Sequence, residues 1–280
     1  MGDMVIYLVR HGESVANIDK NIYLTVADHD ISLSSNGKLQ AIDAGKSLNG
    51  LLLENGHKRV RIWNSPYRRA RQTARLIADQ LHRRFDLDFR ESNRLCEQQY
   101  GLFDGIPDNE RSKHFPNEAA HYEKCENHNG HYWARMPLGE SRFDVSNRLH
   151  QTFGTFHRDY EKHGIDTIVV VCHGVTLRAF VQEWLHLSPE WFNCEPNPGN
   201  CQIRRLRQDR FGWHDDNYVH GGRRIGRHSC DHIWPKIVED KSMTFCSSCY
   251  MSMDEYECWD TMPTQQRSRI LVDLTLRGDY

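Results

Sequence analysis

Val5-Ile6-Tyr7-Leu8-Val9-Arg10-His11-Gly12-Glu13-Ser14 is a short apolar run that ends in arginine, histidine and glycine. The run reads as a strand buried on both faces. The residues that follow it suit phosphate chemistry. Arginine offers a planar fork of donors to phosphate oxygens. Glycine lets the backbone turn tightly and come close to a ligand. Histidine can serve as nucleophile or as acid and base near neutral pH.

The same order recurs downstream. Thr167-Ile168-Val169-Val170-Val171 is a continuous β-branched run, as expected of a parallel strand, and leads through Cys172 to His173-Gly174. Between the two lie strand candidates at Val60-Arg61-Ile62-Trp63 and Leu87-Asp88-Phe89. Helical patterns separate them. The first opens at Gly37 behind a Ser34 or Ser35 cap, buries Leu39, Ile42 and Leu48, and ends at Asn55-Gly56. A second runs from Ser65-Pro66 to about His82, with Pro66 in its first turn. Others span Glu140 to His163, with Phe143, Leu149, Phe153 and Phe156 as apolar residues, and Val175 to Leu187. Alternating strands and helices predict a three-layer α/β/α sandwich around a mostly parallel central sheet. The polar stretch from Leu95 to Gly139 reads as a long excursion with one or two short helices.

The 280 residues suffice for one large domain, and 38% hydrophobic with 26% charged residues suits a globular chain. A formal net charge of −2 gives no reason to expect nucleic acid or a membrane surface as partner. No run is long enough to predict a transmembrane helix, and no signal peptide opens the chain. Gly2 lacks the Ser or Thr that a myristoylation signal needs, since Ile6 stands there. The nine cysteines form no regular framework, so reduced thiols in the cytoplasm are expected.

In an open α/β sheet, ligands bind beyond the carboxyl ends of the strands. His11, His173 and the Ser65-Pro66-Tyr67-Arg68-Arg69-Ala70 segment all follow predicted strands, so they should meet at one edge. Arg10, His11, Arg69 and His173 would then outline a phosphate pocket.

At this point the chain resembles the histidine phosphatase superfamily, which includes cofactor-dependent phosphoglycerate mutases and many phosphatases. The resemblance rests on Arg10 through Asn17, Ser65 through Thr73, Glu97 with Tyr100-Gly101, and Cys172-His173-Gly174, and covers about residues 4–206. It implies that His11 is the nucleophile that becomes phosphorylated. It implies that Arg10, Arg69, His173 and Gly174 bind the transferring phosphoryl, with Asn17 as a further contact. Glu97 would give a proton to the leaving oxygen, with Glu91 and Glu110 as substitutes in the same region. Arg69 is selected over Arg68 because it directly precedes Ala70. A cationic His173 with two arginines would meet the phosphoryl charge. No metal and no other cofactor is expected.

The resemblance leaves the reaction open. The glycolytic mutases follow the nucleophile segment with an aromatic-x-Gly-Trp pattern, and this chain has Asn21-Ile22-Tyr23-Leu24-Thr25-Val26-Ala27 instead. A phosphatase-like subgroup matches better, at Ser65 to Thr73, Arg135-Met136-Pro137, Gly139-Glu140-Ser141 and Asn200-Cys201. The expectation is a metal-independent phosphomonoesterase for a small phosphorylated molecule. Mutase or bisphosphatase activity is the alternative, and an idle phosphate-recognising module is the reading from another class. Glu140 is read two ways, as a partner of Ser141 in capping its helix or as a residue at the pocket mouth. The leaving-group pocket is expected from Leu102 to Gly139.

Residues 1–208 are read as the catalytic domain and 209–280 as an extension of unknown role. Cys246-Ser247-Ser248-Cys249 has zinc-knuckle spacing, with Cys230, Cys258, His228 and His232 as further ligand candidates. Reduced cysteines are the preferred reading. A closing pattern, Ile270-Leu271-Val272 with Leu274 and Leu276, suggests a strand that docks on the main domain, covers the crevice or supports a homodimer.

Overall fold

The computed structural model describes residues 4–56, 58–83 and 85–221. The Cys246/Cys249 pair, its companion ligands and the closing apolar pattern lie outside the described residues. The chain runs β1 (Val5–Arg10), α1 (Val15–Ile18), α2 (Ser35–Glu54), β2 (Arg59–Asn64), α3 (Arg68–Ala78) and β3 (Asp86–Glu91). It continues through α4 (Arg111–His114), α5 (Pro116–Asn129), α6 (Arg142–His163), β4 (Thr167–Cys172), α7 (Gly174–Trp184), α8 (Pro189–Cys194), β5 (Ile203–Asp209) and β6 (Gly212–His220).

The six strands form one sheet in the order β3-β2-β4-β1-β5-β6. The first four are mutually parallel, while β5 and β6 are antiparallel additions. The hairpin of β5 and β6 carries the sheet past residue 208 to His220. Alternation along β1 and β4 explains why both read as unbroken apolar runs. Ile6, Leu8, Ile168 and Val170 face α6, α7 and α8, whereas Tyr7, Val9, Val169 and Val171 face α2 and α3. Among the described residues no helix is long and apolar enough to cross a membrane.

Three local expectations change. The α2 face is not Leu39-Ile42-Leu48: Leu39 is exposed, and the buried stripe is Gly37, Ala41, Ala44, Gly45, Leu48 and Leu52. Small residues let α2 lie close to α3, and a Cβ at Gly45 would sit 2.9 Å from the Ile77 backbone. Helix α3 starts at Arg68, not Pro66, because the Tyr67 N–H is taken by the Ser65 hydroxyl and Tyr67 stays extended. It also ends at Ala78, before His82. On α6, Phe143 is exposed while Leu149, Phe153 and Phe156 are buried. Ser34 caps α2 as expected, accepting from the Gly37 N–H at 2.9 Å.

The excursion holds α4 and α5, together with a small core of Phe103, Tyr122, Ala134 and Met136. Its base is pinned where two backbone stretches touch. Gly101, at φ +62°, lies against Pro137, and a Cβ there would fall 2.1 Å from the Pro137 carbonyl oxygen. Gly101→Ala should therefore lower stability by about 1–3 kcal/mol, from the strained backbone angle and the overlap together. The check is the urea midpoint of the variant against the unaltered protein; an unchanged midpoint contradicts it.

Candidate active site

Strand pairing builds the site. In the β1–β4 register Arg10 stands opposite Cys172, so His11 and His173 leave the sheet side by side. Their rings are 5.1 Å apart between centroids. Gly12 serves close packing more than ligand approach: a Cβ there would fall 2.5 Å from the Gly37 carbonyl oxygen, at the start of α2.

His11 is buried and its Nδ1 lies 2.7 Å from the Gly12 carbonyl oxygen. A carbonyl only accepts, so Nδ1 carries the proton and Nε2 keeps its lone pair. Burial first, and then the charges of Arg69 and Arg10, hold His11 well below the usual histidine range. The ring is thus neutral at pH 7, as a nucleophile must be.

His173 departs from expectation. It too is fully buried and is held well below the usual range by burial, then by Arg69, His11 and Arg10. These surroundings favour the neutral ring over the cationic one. Its Nε2 is 2.8 Å from the Ser65 hydroxyl, and its Nδ1 is buried with no partner among the described residues. The Tyr67 ring packs edge-on against it.

Arg69 is buried on α3, whereas Arg68 beside it is exposed and pairs with Asp30. The Arg69 guanidinium grips Asp28, with Nη1 donating to Oδ1 at 2.8 Å and Nη2 to Oδ2 at 3.3 Å. Arg10 is half-buried and donates to the Pro198 carbonyl. The Asn200 side chain donates to the His11 carbonyl at 3.1 Å.

Glu97 sits against the first turn of α7. Its carboxylate accepts from the N–H groups of Val175, Thr176 and Gln98 and from the Thr176 hydroxyl, at 3.0–3.3 Å. The two substitutes lie elsewhere: Glu91 pairs with Arg71, and Glu110 is exposed at the foot of α4. Gly174 is the first residue of α7, and its missing side chain leaves room for the Asn197 amide. Asn17 is exposed and turned onto Ser14, accepting from the Ser14 N–H at 2.9 Å.

Glu140 does not cap α6 with Ser141, because Asp144 takes that place. Ser141 caps α6 in a box with Asp144, while Glu140 pairs with Arg148 and reaches a cavity of about 500 Å3. That cavity is lined by His29, Tyr67, Cys96 and Gln99 among others. No group of three or more His, Cys, Asp or Glu side chains among the described residues is gathered to hold a metal ion. The sequence missed Ser65 as the partner of His173, Tyr67 as its wall and Asp28 as the partner of Arg69. The serine and tyrosine sit inside a recognised segment, whereas Asp28 lies in a polar stretch without periodicity.

Paired histidines and arginines thus stand beyond the carboxyl ends of the parallel strands of an α/β protein. The histidine phosphatase superfamily (branch 1) matches residues 6–218, and the chain belongs to that family. It is 35% identical over 217 residues to a phosphoglycerate mutase-like protein of Arabidopsis thaliana, the match covering 74% of this chain and 66% of that protein. It is 25% identical over 287 residues to a broad-range acid phosphatase of Saccharomyces cerevisiae, covering 73% and 85%. The fold is similar to that of a mycobacterial glucosyl-3-phosphoglycerate phosphatase solved with VO3, at TM-score 0.58 and 23% identity over 77% of this chain and 98% of that one. Relatives in the family thus include both phosphatases and mutase-like proteins.

The neutral histidines make stability depend on pH. Unfolded, each takes up a proton near the ordinary value of about 6.5; folded, only at much lower pH. Their contribution is therefore complete above that value and is lost as pH falls below it, by up to about 1.4 kcal/mol per pH unit for each histidine. Urea midpoints measured between pH 7.5 and 5 should fall, and fall less steeply in His11→Gln. An equal slope in both proteins counts against the assignment.

Proposed function

We propose that the protein is a metal-independent phosphomonoesterase that works through a phosphohistidine on His11. The observation that carries this reading is the bond from His11 Nδ1 to the Gly12 carbonyl, which leaves Nε2 as a neutral nucleophile between Arg10, Arg69 and His173. The Nε2 lone pair attacks phosphorus in line as the bond to the leaving oxygen breaks. Arg10, Arg69 and His173 bind the phosphoryl oxygens, with Gly174 and Asn17 as further contacts, so side chains carry the charge that develops. Glu97 hands its proton to the leaving oxygen. Water then attacks phosphohistidine, gives a proton back to Glu97, and the P–N bond breaks to release inorganic phosphate. The substrate is a small phosphorylated molecule. The phosphatase relative and the absence of the aromatic-x-Gly-Trp pattern support hydrolysis over transfer.

Incubation with p-nitrophenyl phosphate, and separately with 3-phosphoglycerate plus its bisphosphate, separates the readings. Hydrolysis without isomerisation is expected. Isomerisation would make the protein a mutase, and silence across a phosphoester panel would make it a binding module. His11→Ala should abolish turnover and the acid-labile phosphoenzyme; near-normal activity would remove His11 as nucleophile.

Glu97→Gln tests the acid. An alkyl phosphomonoester, whose leaving alkoxide needs a proton, should lose about 10²–10⁴ in kcat. p-Nitrophenyl phosphate, whose phenolate leaves readily, should lose far less. Equal losses on both substrates would show that Glu97 is not the proton donor.

A further inference from the structure

Arg69 is gripped at one end only. A guanidinium presents donors along two usable edges, the Nη1/Nη2 end and the Nε/Nη2 side. Asp28 takes the end: its carboxylate meets both terminal nitrogens, and its backbone carbonyl accepts a further bond from Nη1 at 2.6 Å. The bonds to Asp28 all run through Nη1 and Nη2, at that end of the group.

The grip does not pull Arg69 away from the histidines. In this conformation its charge is the second largest influence on both His11 and His173, after burial. The guanidinium also lies over the Tyr67 ring, 4.9 Å from its centroid, which fixes the plane. The Arg69 side chain is 5% exposed and that of Asp28 33%, so the pair is shielded on the arginine side. The neighbouring pair, Arg68 with Asp30, is more than half exposed on both sides and offers a natural control.

We propose that Asp28 is a positioning residue for phosphoryl binding. It clamps the end of Arg69 and thereby presents the Nε edge to the phosphoryl group beside His11 and His173. The inference rests on the phosphatase reading of this site. It also gives a task to the segment where the chain departs from the mutases, because Asp28 directly follows Asn21–Ala27. Tyr23 from the same segment packs against Gly105 of the excursion, where a Cβ would come within 2.8 Å of it. The segment is therefore braced by the excursion.

The test is calorimetric titration with inorganic phosphate, which reads binding without turnover. Asp28→Asn should weaken phosphate about tenfold and raise KM far more than it lowers kcat. Asp28→Glu should recover part of the loss, and Asp30→Asn should leave binding unchanged. In an Arg69→Gln background, Asp28→Asn should cost nothing further, since the clamped group is gone. Thermal melts confirm that each variant is folded. The proposal is overturned if Asp28→Asn binds phosphate as well as the unaltered protein, or if its loss persists without Arg69. It is equally overturned if the variant binds more tightly, which would make Asp28 a competitor of phosphate. The phosphatase reading is judged separately, on hydrolysis of p-nitrophenyl phosphate by the unaltered protein.

Discussion

The register between β1 and β4 is the constraint on which the site depends. Because Arg10 pairs with Cys172, the residues one step beyond each strand, His11 and His173, emerge together. The His11 N–H closes the pair by donating to the Cys172 carbonyl at 2.9 Å. Both faces of β1 are buried, so a slip of one residue would exchange the side chains that meet α6, α7 and α8 with those that meet α2 and α3, and the packing of two cores holds the alignment. Neighbouring strands inherit it. On one side β2 brings Ser65, whose N–H donates to Val171, up to His173; on the other, the turn before β5 brings Asn200 and Cys201 against Arg10 and His11. Packing of the core and placement of the reactive groups are one geometric fact.

That geometry creates an electrostatic problem. Arg69 is buried, Arg10 is half-buried, and two imidazoles lie within reach of both charges. A histidine in that position gives up its proton more readily than it would in water, and both rings are neutral. Asp28 offsets one of the two guanidinium charges at the rim. The positive charge at this edge thus rests on the arginines, and the cationic His173 expected from sequence is not the form these surroundings favour.

The sequence made the sheet and its edge legible because the apolar runs of β1 and β4 end directly in His11 and His173, and register is enforced by burial. It misjudged α2 because a stripe of Gly37, Ala41, Ala44 and Gly45 carries little bulk, and bulk is what periodicity detects. It misplaced the start of α3 because proline suits a first turn, while the Ser65 hydroxyl accepts from the Tyr67 N–H in a local turn that leaves Tyr67 extended ahead of the helix. The roles of Asp28 and Tyr67 escaped for a related reason. Neither has a periodic or spacing signal, and both matter through what folding puts beside them.

Glu97 shows how the chemistry is kept apart from substrate choice. His173 is the residue that leads into α7, and the next N–H groups along that helix, Val175 and Thr176, hold the Glu97 carboxylate. The group read as the acid and the group read as a phosphoryl ligand are thus spaced by the first turn of one helix, which is rooted in β4. The excursion beyond Gly101 has its own small core of Phe103, Tyr122, Ala134 and Met136, so it can change shape without disturbing that spacing. His11 and His173 stand directly after buried strands, where the sequence pattern is strict, whereas the excursion is irregular backbone, where shape decides and pattern is weak.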